Sequence, residues 1–224
     1  MANSLVDVVY PKRCAGCGAR GEWVCPICLN DLPVFAPPWC PRCGIPMRFG
    51  PCRCAAIPAP LVSIRAVGPY TDWLRSAIIA LKYEDELARA EHLGGLLGTT
   101  LGDLGRANVI VAVPLHPRRE RERGYNQSLH VARYAARKLD LPVLPLLRRT
   151  RATARQVGLD AAARRANVVS AFEADVGAAL GHPVDHVVLV DDVMTTGATL
   201  AACATALTGI GVGQVDAAAL AWDL

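Results

Sequence analysis

The stretch Val187-Val-Leu-Val-Asp-Asp-Val-Met-Thr-Thr-Gly-Ala-Thr199 constrains the fold more than any other part of the chain. Four apolar β-formers run into two adjacent carboxylates, then a small hydroxyl-rich loop, then an alanine-rich segment of helical character. A continuous apolar run of this kind predicts a strand buried on both faces, as in a parallel sheet. The turn after it is suited to a phosphate. The hydroxyls of Thr195, Thr196 and Thr199, with Gly197 and Ala198 between them, sit where a following helix presents free N–H groups. Asp191 and Asp192 stand beside that cradle, placed to accept hydrogen bonds from vicinal hydroxyls. An ordinary buried strand and turn has no need of two successive acids.

Eight of the nine cysteines fall within residues 14–54, as Cys14/Cys17, Cys25/Cys28, Cys40/Cys43 and Cys52/Cys54. Two residues between thiolates let both sulfurs reach one ion within a tight turn, and two such knuckles complete a tetrahedral Zn²⁺ site. The simplest pairing is sequential, with Cys14, Cys17, Cys25 and Cys28 on one ion and the other four on a second. Cys52-Arg-Cys54 has one intervening residue and is the weakest element, so an interleaved pairing or a single ion stays open. Redox chemistry competes poorly, because four clustered pairs exceed what a redox site needs. With every ligand position filled by protein, these sites are structural. A Pro- and Gly-rich segment of this size depends on metal to fold. Cys203, alone in an alanine-rich stretch, reads as a small buried apolar residue.

Pro58-Ala-Pro60 marks a boundary, giving a zinc-binding module over residues 1–58 and a second domain over 61–224. In the second domain strands are expected at Leu61–Tyr70, Asn108–Val113, Val143–Leu146, Ala171–Glu173, the Val187–Val190 run and Val215–Ala221. Helices are expected at Asp72–Lys82, Glu86–Leu104, Asn126–Leu139, Ala161–Arg165 and Thr199–Leu207. The alternation predicts an α/β fold with a doubly wound parallel sheet and its ligand at the carboxyl ends of the strands.

Charge is distributed unevenly over the 224 residues. Thirteen Lys or Arg lie between His116 and Arg165 against four acids, whereas from Ala166 onward there are seven acids and no Lys or Arg. A basic middle beside an acidic carboxyl-terminal part suits a site that takes a polyanion together with a metal ion. Pro114, Leu115, Arg118, Arg119 and Arg123 belong to a segment, 114–124, read as a loop after the second strand. Its arginines are suited to pyrophosphate oxygens. Arg148, Arg149, Arg151 and the residues to 160 read as a second arginine-rich loop. Strong nucleic-acid binding by the zinc module is not expected. Its first 60 residues carry six basic and three acidic side chains, and eight thiolates on two zinc ions bring the sum to −1. Only Tyr125 and Tyr134 interleave the later arginines, which supplies little base stacking. No apolar run is long enough to span a bilayer, and the first residues lack a basic secretory n-region, so a cytoplasmic chain without membrane insertion is expected.

Taken in order, the knuckle pairs, Val113-Pro-Leu-His-Pro-Arg-Arg, Arg123-Gly-Tyr-Asn-Gln127, Arg148-Arg-Thr-Arg151, Gln156-Val-Gly-Leu159, Arg164-Arg-Ala-Asn167 and the Asp-Asp signature resemble the ComF competence-protein family over nearly the whole chain. The signature itself resembles that of type I phosphoribosyltransferases. The resemblance implies a double zinc ribbon joined to a phosphoribosyltransferase domain, binding 5-phosphoribosyl 1-pyrophosphate with Mg²⁺ and transferring the phosphoribosyl group. It also implies a link to the uptake or handling of single-stranded DNA. Asp191 and Asp192 would contact ribose hydroxyls, Thr195–Thr199 the 5-phosphate, Pro114–Arg119 pyrophosphate, and the segment around Arg148–Gln156 would form a mobile lid. Some relatives of this fold sense the ligand without catalysis, so a sensor or a DNA-handling adaptor stands as the alternative. Glutamine-using relatives carry an amino-terminal cysteine nucleophile; residue 2 here is Ala, and no glutaminase activity is expected.

Overall fold

The computed structural model describes residues 11–31, 33–83, 86–102, 104, 107–150, 171–179 and 181–224. Arg151 and the expected helix at Ala161–Arg165 lie outside the described residues. A short helix, α1 (Pro26–Asp31), belongs to the cysteine-rich segment. Four strands, β1 (Ile64–Pro69), β2 (Val109–Ala112), β5 (His186–Met194) and β6 (Gln214–Trp222), form one sheet in the order β1-β6-β5-β2, every pair parallel. A short antiparallel ribbon joins β3 (Leu147–Arg149) to β4 (Phe172–Ala174).

Alternation along the strands divides the core in two. Val187, Leu189, Val215 and Ala217 pack on the side of helix α6 (Ala198–Gly209), with Leu200, Cys203 and Leu207. Val188, Val190, Ala218 and Leu220 face the other side, against helices α2 (Asp72–Tyr83), α3 (Arg89–Thr100) and α5 (Gln127–Leu139). Both sheet faces are therefore covered, which is why the signature strand is apolar at consecutive positions. Cys203 is fully buried, in keeping with its reading as an apolar residue. Among the described residues no helix is long and apolar enough to cross a membrane.

Three expectations are corrected. Residues 117–123 are not loop but helix α4 (Pro117–Arg123), because proline occupies its first turn, the His116 ring accepts from the Arg118 N–H, and left-handed Gly124 closes it. The strand expected at Val143–Leu146 is reduced to a single bridge between Val143 and Ile110. Pro142 and Pro145 have no N–H to donate, and regular pairing begins only at Leu147. Arg148 and Arg149 thus lie on a strand rather than a loop. Finally, β5 continues through Asp191 and Asp192 to Met194, because β6 pairs with it as far as Trp222.

The cysteine-rich segment straddles the β1 edge of the sheet. Val24 joins the core on the α2 side, with Ala15, Cys28 and Leu29 against it, whereas Phe35, Cys43, Ile45 and Ile57 join the core on the α6 side. Between them the chain supplies backbone partners to the free edge of β1: the Phe35 N–H donates to Val67 O at 2.8 Å, and the Ile64 N–H donates to Arg42 O at 2.8 Å. An open edge is thereby closed. One buried arginine fastens each half. Arg89 donates to Trp23 O (3.1 Å) and Arg13 O (3.0 Å) while stacking over the Trp23 ring. Arg65 donates to Pro41 O (3.0 Å) and lies over Trp39. Gly44, at φ +67°, lies so near β1 that a Cβ there would come within 2.6 Å of Ile64 O.

Candidate functional site

The sulfurs of Cys14, Cys17, Cys25 and Cys28 lie within 4.8 Å of one another, and so do those of Cys40, Cys43, Cys52 and Cys54. The grouping is the sequential one, and all nine cysteines are free thiols. Zinc–sulfur bonds of about 2.3 Å require tetrahedral edges of about 3.8 Å. The Cys17–Cys25 and Cys43–Cys52 separations, 3.7 Å each, match that figure, while Cys40, Cys52 and Cys54 lie closer together, at 2.9 to 3.4 Å. The thiols also show why a cation belongs between them. Burial raises Cys14, yet the N–H groups of Cys17, Cys25 and Gly16 outweigh it and bring the thiol down to about 6. The Cys43 N–H chiefly does the same for Cys40, also to about 6. Their neighbours move the other way: Cys28 is pushed up to about 12 by desolvation and adjacent sulfurs, and Cys54 to about 12 by hydrogen bonds with Cys52 and Cys40. Four crowded sulfurs cannot all ionise unaided, and a bound divalent ion removes that obstacle. The donor sets fit Zn²⁺ at two closed, four-thiolate sites.

At the carboxyl end of β5 the two acids have different surroundings. Asp192 is buried, and both its oxygens are occupied: Lys82 Nζ lies 2.6 Å from Oδ1, and Gln127 Nε2 donates to Oδ2. Asp191 is only partly buried; its Oδ1 accepts from Ser128 Oγ (3.0 Å) and from the Asp192 N–H (2.8 Å). Among the described residues nothing donates to its Oδ2. Desolvation, reinforced by the neighbouring Asp192 charge, pushes the Asp191 carboxyl up to about 7 from its ordinary 3.8. Burial works against the Lys82 ammonium, but the Asp192 charge and hydrogen bond outweigh it and hold Lys82 above its usual value.

The same strand end leads into Thr195 and Thr196, both exposed, and then Gly197, buried at φ +72° as the cap of α6. A Cβ on Gly197 would stand 3.1 Å from the Pro58 ring. As the first residues of α6, Ala198 and Thr199 have N–H groups without an intrahelical acceptor. Pro114 and Leu115 are half-buried beside it, since the Val113 N–H donates to Val190 O at 2.9 Å.

The arginines divide. Arg149 lies over Phe172, partly buried, and its guanidinium is depressed first by desolvation and then by Arg119, with Asp191 pulling the other way. Arg149 thus has both Arg119 and Asp191 as electrostatic neighbours, although the three are far apart in sequence. Arg118 instead pairs along its own helix with Glu122 at 2.8 Å, both well exposed, a contact worth roughly 0.5 kcal/mol or less. Arg123 hydrogen-bonds Gln127 and lies 5.1 Å from the centre of the Tyr83 ring. His116 serves as the cap of α4, and His186 pairs with Asp216 at the opposite end of the sheet. Lys82, Gln127 and Ser128 were given no role on sequence grounds. A signal existed for Lys82, which lies one turn beyond Ile78 and so continues the buried stripe of α2.

The site thus belongs to an α/β domain with a four-stranded parallel sheet, whose strand β5 leads through two acids into a threonine loop, and this domain follows two four-thiolate clusters. Residues 5–58 match the double zinc ribbon domain family. The chain is 34% identical over 212 residues to the DNA utilization protein YhgH of Escherichia coli K12, covering 88% of this chain and 90% of that one. It is 30% identical over 208 residues to Competence protein F of Haemophilus influenzae, with the same coverage. The chain belongs to the ComF competence-protein family. Among solved structures it is similar to glutamine phosphoribosylpyrophosphate amidotransferase from B. subtilis, at 20% identity over 64% of this chain and 30% of that one, with a TM-score of 0.44. It is also similar to TT1426 from Thermus thermophilus, at 21% identity over 59% and 82%, with a TM-score of 0.34.

Proposed function

We propose that the site at the end of β5 binds 5-phosphoribosyl 1-pyrophosphate with Mg²⁺ and transfers its phosphoribosyl group to an acceptor. One juxtaposition carries this reading. The Asp191 carboxylate, with Oδ2 uncommitted among the described residues, stands beside a threonine loop that opens onto the N-terminus of a twelve-residue helix. A sugar hydroxyl pair and a phosphate dianion fit those two features together. Asp192, held from both sides, keeps the strand end and Lys82 in place rather than reaching the sugar. Arg119 and Arg149 supply positive charge for the departing pyrophosphate. In the transfer, a bond forms between the acceptor and the anomeric carbon, and the bond to pyrophosphate breaks with both electrons leaving on it. The protein's part is positioning and charge neutralisation. Mg²⁺, where it accompanies the ligand, would supply further positive charge against the charge that develops on the leaving group.

The test is calorimetric titration of the zinc-loaded protein with phosphoribosyl pyrophosphate and Mg²⁺, beside Asp191→Asn. Loss of a hydrogen bond to a charged group is worth about 2 kcal/mol, or roughly thirtyfold in affinity. Equal affinity in a folded Asp191→Asn protein overturns the reading. The pH dependence has a definite sign. Because the Asp191 carboxyl titrates near 7 when folded and near 3.8 when unfolded, its protonated form stabilises the fold at low pH. That contribution is withdrawn as pH rises from about 4 to about 7. Ligand binding, which uses the ionised form, moves oppositely and should strengthen about tenfold between pH 6 and pH 8. Asp191→Asn should remove that part of the pH dependence, leaving the ligand's own phosphate titration.

A DNA-handling role is the second reading, favoured by the relatives' names and by three arginine–tyrosine pairs. Arg75 lies over Tyr70, Arg123 over Tyr83 and Arg137 over Tyr134. Pyrophosphate release that depends on an added acceptor supports transfer. Steep salt dependence of single-strand binding without such release supports the adaptor.

A further inference from the structure

We propose that Lys82 acts as a resident counter-ion that keeps a free divalent cation away from the acid pair, so that the ion enters only together with the ligand's pyrophosphate. The inference rests on the reading of the site given above and assigns Lys82 as a positioning residue. Two adjacent carboxylates at a strand end would ordinarily attract a hard cation, which takes oxygen ligands. Here the attraction is already answered. Lys82 Nζ stands 2.6 Å from Asp192 Oδ1, Gln127 donates to Oδ2, and Ser128 and the Asp192 N–H occupy Oδ1 of Asp191. A metal ion seeking Asp192 has to displace an ammonium whose side chain is only 18% exposed. An ion settling on Asp191 alone would still be repelled by that ammonium, which is an electrostatic neighbour of Asp191 in a largely buried setting.

A ligand carrying pyrophosphate changes the balance, because its negative charge answers both cations at once. Lys82 is well held for such a role. It occupies the last turn of α2, and the carbonyl of Leu81, its neighbour, accepts from Tyr125 Oη at 2.6 Å. Gln127, which shares Asp192 with Lys82, is bonded in turn to Arg123, and Arg123 lies over Tyr83. The lysine and its acid therefore sit inside a closed ring of contacts that joins α2, α4, α5 and β5.

Mn²⁺ is the probe, counted by the electron paramagnetic resonance of the free ion in zinc-loaded protein. Without phosphoribosyl pyrophosphate, Lys82→Gln should bind Mn²⁺ at least ten times more tightly than the natural protein. Adding Asp192→Asn should abolish the gain, and Lys82→Arg should behave as the natural protein does. Equal Mn²⁺ binding by the natural protein and Lys82→Gln overturns the proposal, as does a gain that survives Asp192→Asn. A second measurement needs no variant: Mn²⁺ should bind the natural protein only when phosphoribosyl pyrophosphate is present. Tight Mn²⁺ binding in its absence rejects the proposal even if Lys82→Gln fails to fold. Should the natural protein bind no phosphoribosyl pyrophosphate, the functional reading falls, and the comparison of Lys82→Gln with its double variant still decides the role of Lys82.

Discussion

Stripping zinc from the protein with a strong chelator is expected to dismantle the cysteine-rich segment and to expose the β1 edge of the central sheet. Zinc bound at four thiolates contributes on the order of 10 kcal/mol or more to folding, because no such site exists in the unfolded chain. Each cluster is also part of a core rather than an appendage. Cys43 is 1% exposed and Ile45 3%, both packed against the sheet on the α6 side, and Val24 is packed on the other. Losing the metal releases the Phe35 and Arg42 contacts along β1, takes the Pro41 carbonyl from Arg65, and takes the Trp23 and Arg13 carbonyls from the buried guanidinium of Arg89. The second cluster reaches further. Cys54 opens a tight turn through Ala56, and Ile57 is buried just before Pro58 presses on Gly197. Hydrogen exchange should therefore show lost protection in Ile64–Pro69 and in the threonine loop, together with released zinc. A chelated protein that keeps both its zinc-free state and its original cooperative melting transition would refute this.

Gly94→Ala should cost about 3 kcal/mol and lower the melting temperature by about 10 °C. A Cβ at Gly94 would meet Tyr134 Cβ at 2.5 Å and the Val131 carbonyl at 2.7 Å. Helix α3 approaches α5 along Gly94 and Gly98, where a methyl group must push backbone aside. Alanine's better helix propensity recovers only about 1 kcal/mol. The displacement carries a functional consequence, since α5 begins with Gln127 and Ser128, which hold Asp192 and Asp191. Weaker binding of phosphoribosyl pyrophosphate should accompany the lower melting temperature. Gly95→Ala is the control, because its Cβ would have no atom within 4 Å. Equal effects of the two substitutions would sink the argument.

What the sequence disclosed follows the range of the interactions involved. The signature strand, its two acids and the glycine at the loop are local, and their placement was legible from apolar run, charge and turn chemistry. The knuckles and their sequential assignment to two ions were legible from spacing, because each set of four lies within a short stretch of chain, and only the interleaved alternative needed the structure to close it. Helix α4 was hidden because four arginines suggested an anion-binding loop, while the structure-forming cues were Pro117, His116 and Gly124. The β3 strand was misplaced by three residues or so, since Val143 and Leu144 are apolar but sit between two prolines. Lys82 continues the buried stripe of α2, but neither its role nor that of Tyr83 is legible from position alone, for a different reason. Their partners lie 110 and 40 positions away, at Asp192 and Arg123, and no periodicity encodes that. The stacking that the sequence around the arginines lacked arrives from α2 and from the end of β1.

The strand order carries a consequence for how the chain assembles during synthesis. β1 pairs with β6, so Ile64 finds Ala217 only after some 150 further residues have been made. The ligands of the two zinc sites all lie between Cys14 and Cys54, so both sites can fill with metal as soon as Cys54 clears the ribosome. The edge onto which they dock is not yet held. Contacts so distant in sequence are slow to form, because a long loop must close first. The metal-loaded amino-terminal segment thus waits, its apolar faces uncovered, for Gln214–Trp222 to complete the sheet. A chain cut short before that strand would hold its zinc and still lack the surface that its zinc ribbons were shaped to cover.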